Sequence, residues 1–206
     1  MPSLRKAKES SSSSPEYYAV FLAKFSISLN DPDIPGPRYH HVIFVETDPT
    51  QGSGIKFHVI GDITRHEGMT YESRRYHNPS NSTTCVAKAL LGYTPADGFQ
   101  RRWDRLLSAL PTPPKQKAYN IATHKTELVK CWEPLQFYEP GEERHIPWKC
   151  TEWTNDHALP ALWNAGEIVE EIPADPSSED WVWDEEYQRY RHWSAEKNEW
   201  VWAPGE

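Results

Sequence analysis

The sequence predicts an α+β domain in which a cysteine-bearing helix packs against an antiparallel sheet. Three observations carry that prediction. Two runs of β-branched and aromatic residues flank a glycine-containing turn. Phe99, Trp103, Leu106, Leu107 and Leu110 recur at helical spacing, and a second helical pattern opens on Cys150. At 206 residues the chain fits one domain with appendages.

Residues 1–15 are Ser-rich and basic, with too little apolar surface to offset the entropy of ordering them, so they read as a disordered lead. Tyr18 to Leu29 reads as a largely buried strand, closed by Asn30-Asp31-Pro32. Arg38 to Glu46 (RYHHVIFVE) and Ile55 to Gly61 (IKFHVIG) are strands on either side of a turn holding Pro49, Gly52 and Gly54, and they form an antiparallel hairpin. Gly68 to His77 is a candidate third strand, while Thr83 to Tyr93 fits strand and helix equally. Gly98 to Leu110 is the clearest helix, with Asp97 as N-cap and Pro111 as stop. Another strand is expected over Glu127 to Trp132. A second helix starts at Cys150 or Thr151, putting Cys150, Trp153 and His157 on one face, with Pro160 bending or ending it.

Charge and composition bound the function. Of 30 acidic and 22 basic residues, 12 and 3 fall in Glu167 to Glu206, so the rest of the chain is almost neutral. That distribution has no electrostatic footprint for nucleic acid. No stretch approaches the ~18 apolar residues of a membrane span. No apolar segment follows Arg5, Lys6 and Lys8, so no secretory signal is expected and a cytoplasmic location is. Three cysteines without CxxC spacing suggest neither a disulfide framework nor a zinc ribbon. The acidic end also holds Trp181, Trp183, Trp193, Trp200 and Trp202, half of the tryptophans, in a period-two pattern that predicts a docked β-hairpin. The expected organisation is therefore a lead over 1–15, an α+β domain over 16–166 and a Trp-rich extension over 167–206.

A cysteine at a helix start is placed for thiolate chemistry, because unpaired backbone N–H groups favour a negative sulfur. A small buried hydrophobe is the plainer reading of such a residue, and partners decide between the two. His40 and His58 lie on the two hairpin strands, where a short turn brings them to one sheet face. His41 must point to the opposite face from His40.

These segments, HHVIFVE at His40, KFHVIGD at His58 and KCTEWTNDHAL at Cys150, resemble the permuted papain-like thiol hydrolases and acyltransferases of the lecithin:retinol acyltransferase kind. In that superfamily the histidine strand precedes the cysteine helix. The resemblance implies a permuted papain-like fold in which Cys150 attacks an acyl carbon, His40 is its base and His58 orients His40. Trp153 matches the aromatic of the cysteine helix, and Trp153, His41 and Tyr39 are the expected substrate-binding residues. His41 stands where an aromatic residue usually follows the first His, and Lys149 where an Asn often precedes the Cys.

Other constellations are weaker. His40, His41 and His58 have no HxxxH helix or carboxylate at zinc-site spacing, so no metal is expected and no cofactor is implied. Gly52-Ser53-Gly54 is a turn, not a phosphate loop. Arg74-Arg75 and Arg101-Arg102 read as solvated charges. Two functions of different class follow: a cysteine hydrolase or acyltransferase acting on a small-molecule or acyl substrate (amide, ester or thioester), or a non-catalytic binding or scaffold module that uses the Trp-rich tail for a protein partner.

Overall fold

The computed structural model describes residues 17–28, 33, 36–173, 182–194 and 197–202. The lead expected over 1–15 lies outside them. The chain divides into two compact units, residues 1–170 and 171–206. The first is a mixed α+β unit built on a five-stranded antiparallel sheet of order β4-β3-β2-β1-β5. Its strands are β1 (Tyr17–Ser26), β2 (Tyr39–Asp48), β3 (Ser53–Gly61), β4 (Met69–Tyr76) and β5 (Cys85–Pro95). The hairpin of β2 and β3 forms as the sequence predicts, with Ile43 opposite Phe57 and Val45 opposite Ile55. Gly54 is required there, because a Cβ would meet the Val45 carbonyl oxygen at 1.9 Å.

The ambiguous segment is β5, paired with β1 through two bulges. Helix α1 (Phe99–Ser108) buries Phe99, Trp103 and Leu107 on the stripe the periodicity marks. Its N-cap is Gly98 in a left-handed conformation (φ 59°), not Asp97, whose backbone carbonyl instead accepts from the Arg102 guanidinium. A smaller sheet of β6 (Lys117–Asn120), β7 (Lys125–Trp132) and β8 (Leu135–Phe137) follows.

The cysteine helix comes next as α2 (Cys150–Glu152), a π turn (Trp153–Ala158) and α3 (Leu159–Asn164). It runs through Pro160 and does not stop there. The Leu159 N–H donates to Thr154, five residues back, and Pro160 enters α3 directly behind this wider turn, at its second position. Among the described residues no helix is long and apolar enough to cross a membrane.

One face of the main sheet supplies Val20, Ile43, Val45, Ile55, Phe57 and Val59 to a core shared with α1, Cys150, Trp153, Ala158, Leu162 and Ile168. The other face carries the smaller cluster of Ala23, Phe25 and Val42. Ile168 is 2% exposed and Val169 exchanges two backbone hydrogen bonds with Tyr93 (2.8 and 2.9 Å), so the first unit closes at Glu170 and not at Gly166. The second unit holds an antiparallel three-stranded sheet of β9 (Val182–Asp184), β10 (Arg189–Ser194) and β11 (Glu199–Trp202). The predicted hairpin is therefore one strand short of the observed element, and Trp181 lies outside the described residues.

Candidate functional site

The candidate residues gather where the central hairpin opens. Pairing between β2 and β3 runs from Asp48–Ser53 to Ile43–Phe57. Beyond that point β2 stays paired to β1 as far as Tyr39, and β3 to β4 as far as Gly61, but not to each other. Residues 39–42 and 58–61 thus line a parting in the sheet.

His40 and His58 bridge it, with Nε2 of His40 2.7 Å from Nδ1 of His58. The other nitrogen of His58, Nε2, lies 3.1 Å from Oε1 of Glu72, the residue directly opposite on β4. That carboxylate oxygen also forms an ion pair with Nε of Arg74 at 3.2 Å. The sequence pairs His40 with His58 but does not reveal Glu72. The missing signal is the β3–β4 register, which sets Glu72 across from His58. Arg74 consequently belongs to this ion pair and is not a merely solvated charge.

Burial, Lys56 and His41 hold His40 down to about 4; burial, Lys56, His40 and Arg74 hold His58 down to about 3. Both rings are therefore neutral at pH 7. Lys56 is itself buried, over the Tyr76 ring at 4.8 Å, and its ammonium pKa is lowered by burial and by Arg74.

Cys150 is 7% exposed, and its Sγ donates to the carbonyl of Tyr39 at 3.8 Å. No hydrogen bond joins it to His40 or His58. The thiol is thus held at the residue before His40, but His40 shares the sheet face of Phe25 and Val42, opposite the core that takes in Cys150, so the expected base does not face the cysteine helix. His41, on the other side of that strand, meets the helix itself, with Nδ1 2.9 Å from Oγ1 of Thr151. Burial, Lys24 and Arg38 lower its pKa.

Three further links fix the helix start. Arg38 clasps the Glu152 carboxylate through both guanidinium nitrogens, at 3.1 and 3.2 Å. Glu152 in turn accepts from the Lys149 N–H at 2.8 Å. Burial pulls the Glu152 carboxyl up, but Arg38 and the backbone N–H groups of Glu152 and Lys149 hold it net below its usual range. The Gln116 side chain pairs with the backbone of Trp148 on both sides, donating at 2.6 Å and accepting at 2.8 Å. Its own N–H reaches the Ile63 carbonyl, just beyond β3.

Not every expected residue is placed for its expected role. Trp153 is fully buried beside Tyr71, and His41 is 6% exposed against Thr151, so neither offers a wall to substrate. Tyr39 contributes its backbone carbonyl, the acceptor that holds the thiol. His157, predicted to share the Cys150 face, stacks on Trp148 with ring centroids 4.9 Å apart. Among the described residues no group of three or more His, Cys, Asp or Glu could hold a metal ion.

Comparison with curated proteins gave no match, and neither did comparison with solved structures. Residues 27–170, which include β2 to β8, α1 to α3 and every residue of the sheet opening, match the model of a family of unknown function, DUF6540, and the chain belongs to that family.

Proposed function

We propose that this domain is a cysteine-dependent hydrolase or acyltransferase that works on an amide, ester or thioester through an acyl-enzyme. The single observation behind the reading is a three-residue relay. Glu72, His58 and His40 come from three strands and converge at 3.1 and 2.7 Å, and the relay ends on the residue next to the carbonyl that holds the Cys150 thiol.

In the proposed reaction Cys150 leaves its Tyr39 bond and reaches His40 across the parting between β2 and β3, its proton passes to His40, and a C–S bond forms at the acyl carbon. His40 then protonates the leaving group. Water or an acceptor later attacks the thioester, giving up its proton to His40 and restoring the thiol. First-turn N–H groups of the cysteine helix other than those of Lys149 and Glu152, which the Glu152 carboxylate already engages, are donors for the oxyanion. The permuted papain-like arrangement suggested by the sequence is part of this proposal, as is a cytoplasmic site of action.

A second reading is favoured by a different observation. Cys150 is nearly sealed, while Trp183, Trp193 and Trp200 of the C-terminal sheet are 48%, 50% and 43% exposed. A non-catalytic binding module that presents those rings to a protein partner fits these facts. One experiment separates the two readings: treatment of the full chain with a thiol-reactive acyl probe, followed by peptide mass spectrometry. The enzyme reading expects acylation at Cys150, lost in His40→Gln. Labelling confined to the half-buried Cys85 and Cys131 sinks it and leaves the binding module.

A further inference from the structure

The Glu72–His58–His40 chain has a direction, and that direction fixes which nitrogen of His40 is left open. A carboxylate accepts hydrogen bonds and donates none. Glu72 Oε1 faces Nε2 of His58 at 3.1 Å and Nε of Arg74 at 3.2 Å, so His58 must carry its proton on Nε2. A neutral imidazole has one N–H, which leaves Nδ1 of His58 as an acceptor. Among the described residues the partner at that nitrogen is Nε2 of His40, 2.7 Å away, which must therefore be the donor. His40 is then left with an unprotonated Nδ1. We infer that Glu72 is a positioning residue: through His58 it locks His40 in the Nε2–H tautomer, with the Nδ1 lone pair as the basic end of the site.

Reversing the chain would place a lone pair of His58 against the carboxylate, two acceptors at 3.1 Å with no proton between them. The charged groups around the rings favour the same neutral arrangement. Lys56 flanks both imidazoles, Arg74 sits beside His58 and His41 beside His40, and each opposes a second proton. Burial adds to this: His58 is 3% exposed, so a wrongly placed proton has no water to turn to. Glu72, at 29% side-chain exposure, is reached by solvent, and Arg74 pairs with it there.

The consequence for chemistry rests on the acyl-transfer reading, because an Nδ1 base next to the residue that holds the thiol matters only if the thiol reacts. The tautomers themselves do not depend on it. The test is a long-range proton–nitrogen correlation spectrum of the full chain labelled with nitrogen-15 histidine, at neutral pH. The expected result has the proton on Nε2 of both His40 and His58, with both Nδ1 signals in the unprotonated range.

Glu72→Leu should erase this pattern and average the two His58 nitrogens. Glu72→Gln, which keeps an acceptor oxygen, should restore it. In the same proteins Cys150 alkylation should fall about tenfold or more in Glu72→Leu and stay within about twofold of the parent in Glu72→Gln, the loss expected when a base is no longer oriented. A wild-type His40 carrying its proton on Nδ1 overturns the inference, and so does a Glu72→Leu spectrum identical to the parent. The wild-type spectrum needs no variant to fold. If the tautomers are as stated and Cys150 takes no acyl group, the enzyme reading fails and the positioning role of Glu72 stands.

Discussion

The two halves of the β2–β3 hairpin are built from similar residues and do different things. In the closed half, Ile43 to Asp48 pair with Ser53 to Phe57, and the inward-facing Ile43, Val45, Ile55 and Phe57 pack on α1. In the open half, Tyr39 to Val42 and His58 to Gly61 diverge, and backbone pairing gives way to side-chain links: His40 to His58, His58 to Glu72, His41 to Thr151 and Cys150 to the Tyr39 carbonyl. The first half stabilises by apolar burial, which tolerates no gaps. The second is held by polar contacts that each need a partner, and this gives it the means to carry chemistry.

The largest test of that contrast is in the closed half. Phe57 is fully buried between Trp103 and Phe99, with ring centroids 5.0 and 6.2 Å away. Phe57→Ala should cost about 3 to 5 kcal/mol, read as a lowered urea midpoint at unchanged slope. A loss under about 1 kcal/mol would show that this half is not the anchor of the fold.

A truncation probes the same core from outside the hairpin. Ile168 belongs to the cluster of Ile43, Val45 and Phe57, and Val169 pairs with Tyr93. A chain cut after Gly166 should melt clearly below one cut after Glu170, by the equivalent of about 1.5 to 3 kcal/mol for the lost Ile168 side chain. Equal melting curves would mean that the unit closes without this segment.

How much of this was legible depends on the range of the interaction. The hairpin, α1 and the Cys150 helix show in local period, because alternation and the 3.6-residue stripe are written within a dozen residues. β5 does not, since CVAKALLGYTP is rich in Ala and Leu and only pairing with β1 makes it a strand. Gly92 within it marks the close approach of Val169, whose carbonyl would lie 2.2 Å from a Cβ. The third strand of the C-terminal sheet escapes notice because Val182–Asp184 is only three residues long. At the site, His40 and His58 can be paired from strand spacing. Glu72 needs the register of a strand whose own presence is uncertain from sequence, and the Tyr39 carbonyl, a backbone group, has no sequence signal at all. The burial of Trp153 likewise follows from where the helix docks, which its amphipathic pattern does not specify.

The open half should respond to pH where the closed half does not. His40 and His58 titrate near 6.5 in the unfolded chain but near 4 and 3 when folded. Below pH 6.5 the unfolded state therefore binds protons that the folded state refuses, and stability falls as pH falls toward about 4. Between pH 7 and 5.5 the two rings together should cost up to about 2.5 kcal/mol, before most carboxylates begin to protonate. His40→Gln/His58→Gln should flatten the profile of urea midpoint against pH in that window, while Phe57→Ala should lower it without changing its slope. A parent profile already flat from pH 7 to 5.5 would mean the rings are not held neutral.

The smallest effect is the most specific to the parted strands. The His41–Thr151 bond ties β2 to the cysteine helix at 2.9 Å, and His41 is 6% exposed, so losing the hydroxyl leaves a buried ring nitrogen without a partner. Thr151→Val keeps the shape and should cost about 1 kcal/mol or somewhat more, most of it the desolvation of that nitrogen. If so, removing the other partner as well should recover part of the loss, because an apolar pair carries no unsatisfied atom. His41→Leu/Thr151→Val should then be more stable than Thr151→Val alone, measured by urea midpoints at pH 7.5, where neither protein has a charged His41. A double variant less stable than the single one would mean that His41 holds the helix by packing, and that the polar account of the open half is wrong at this link.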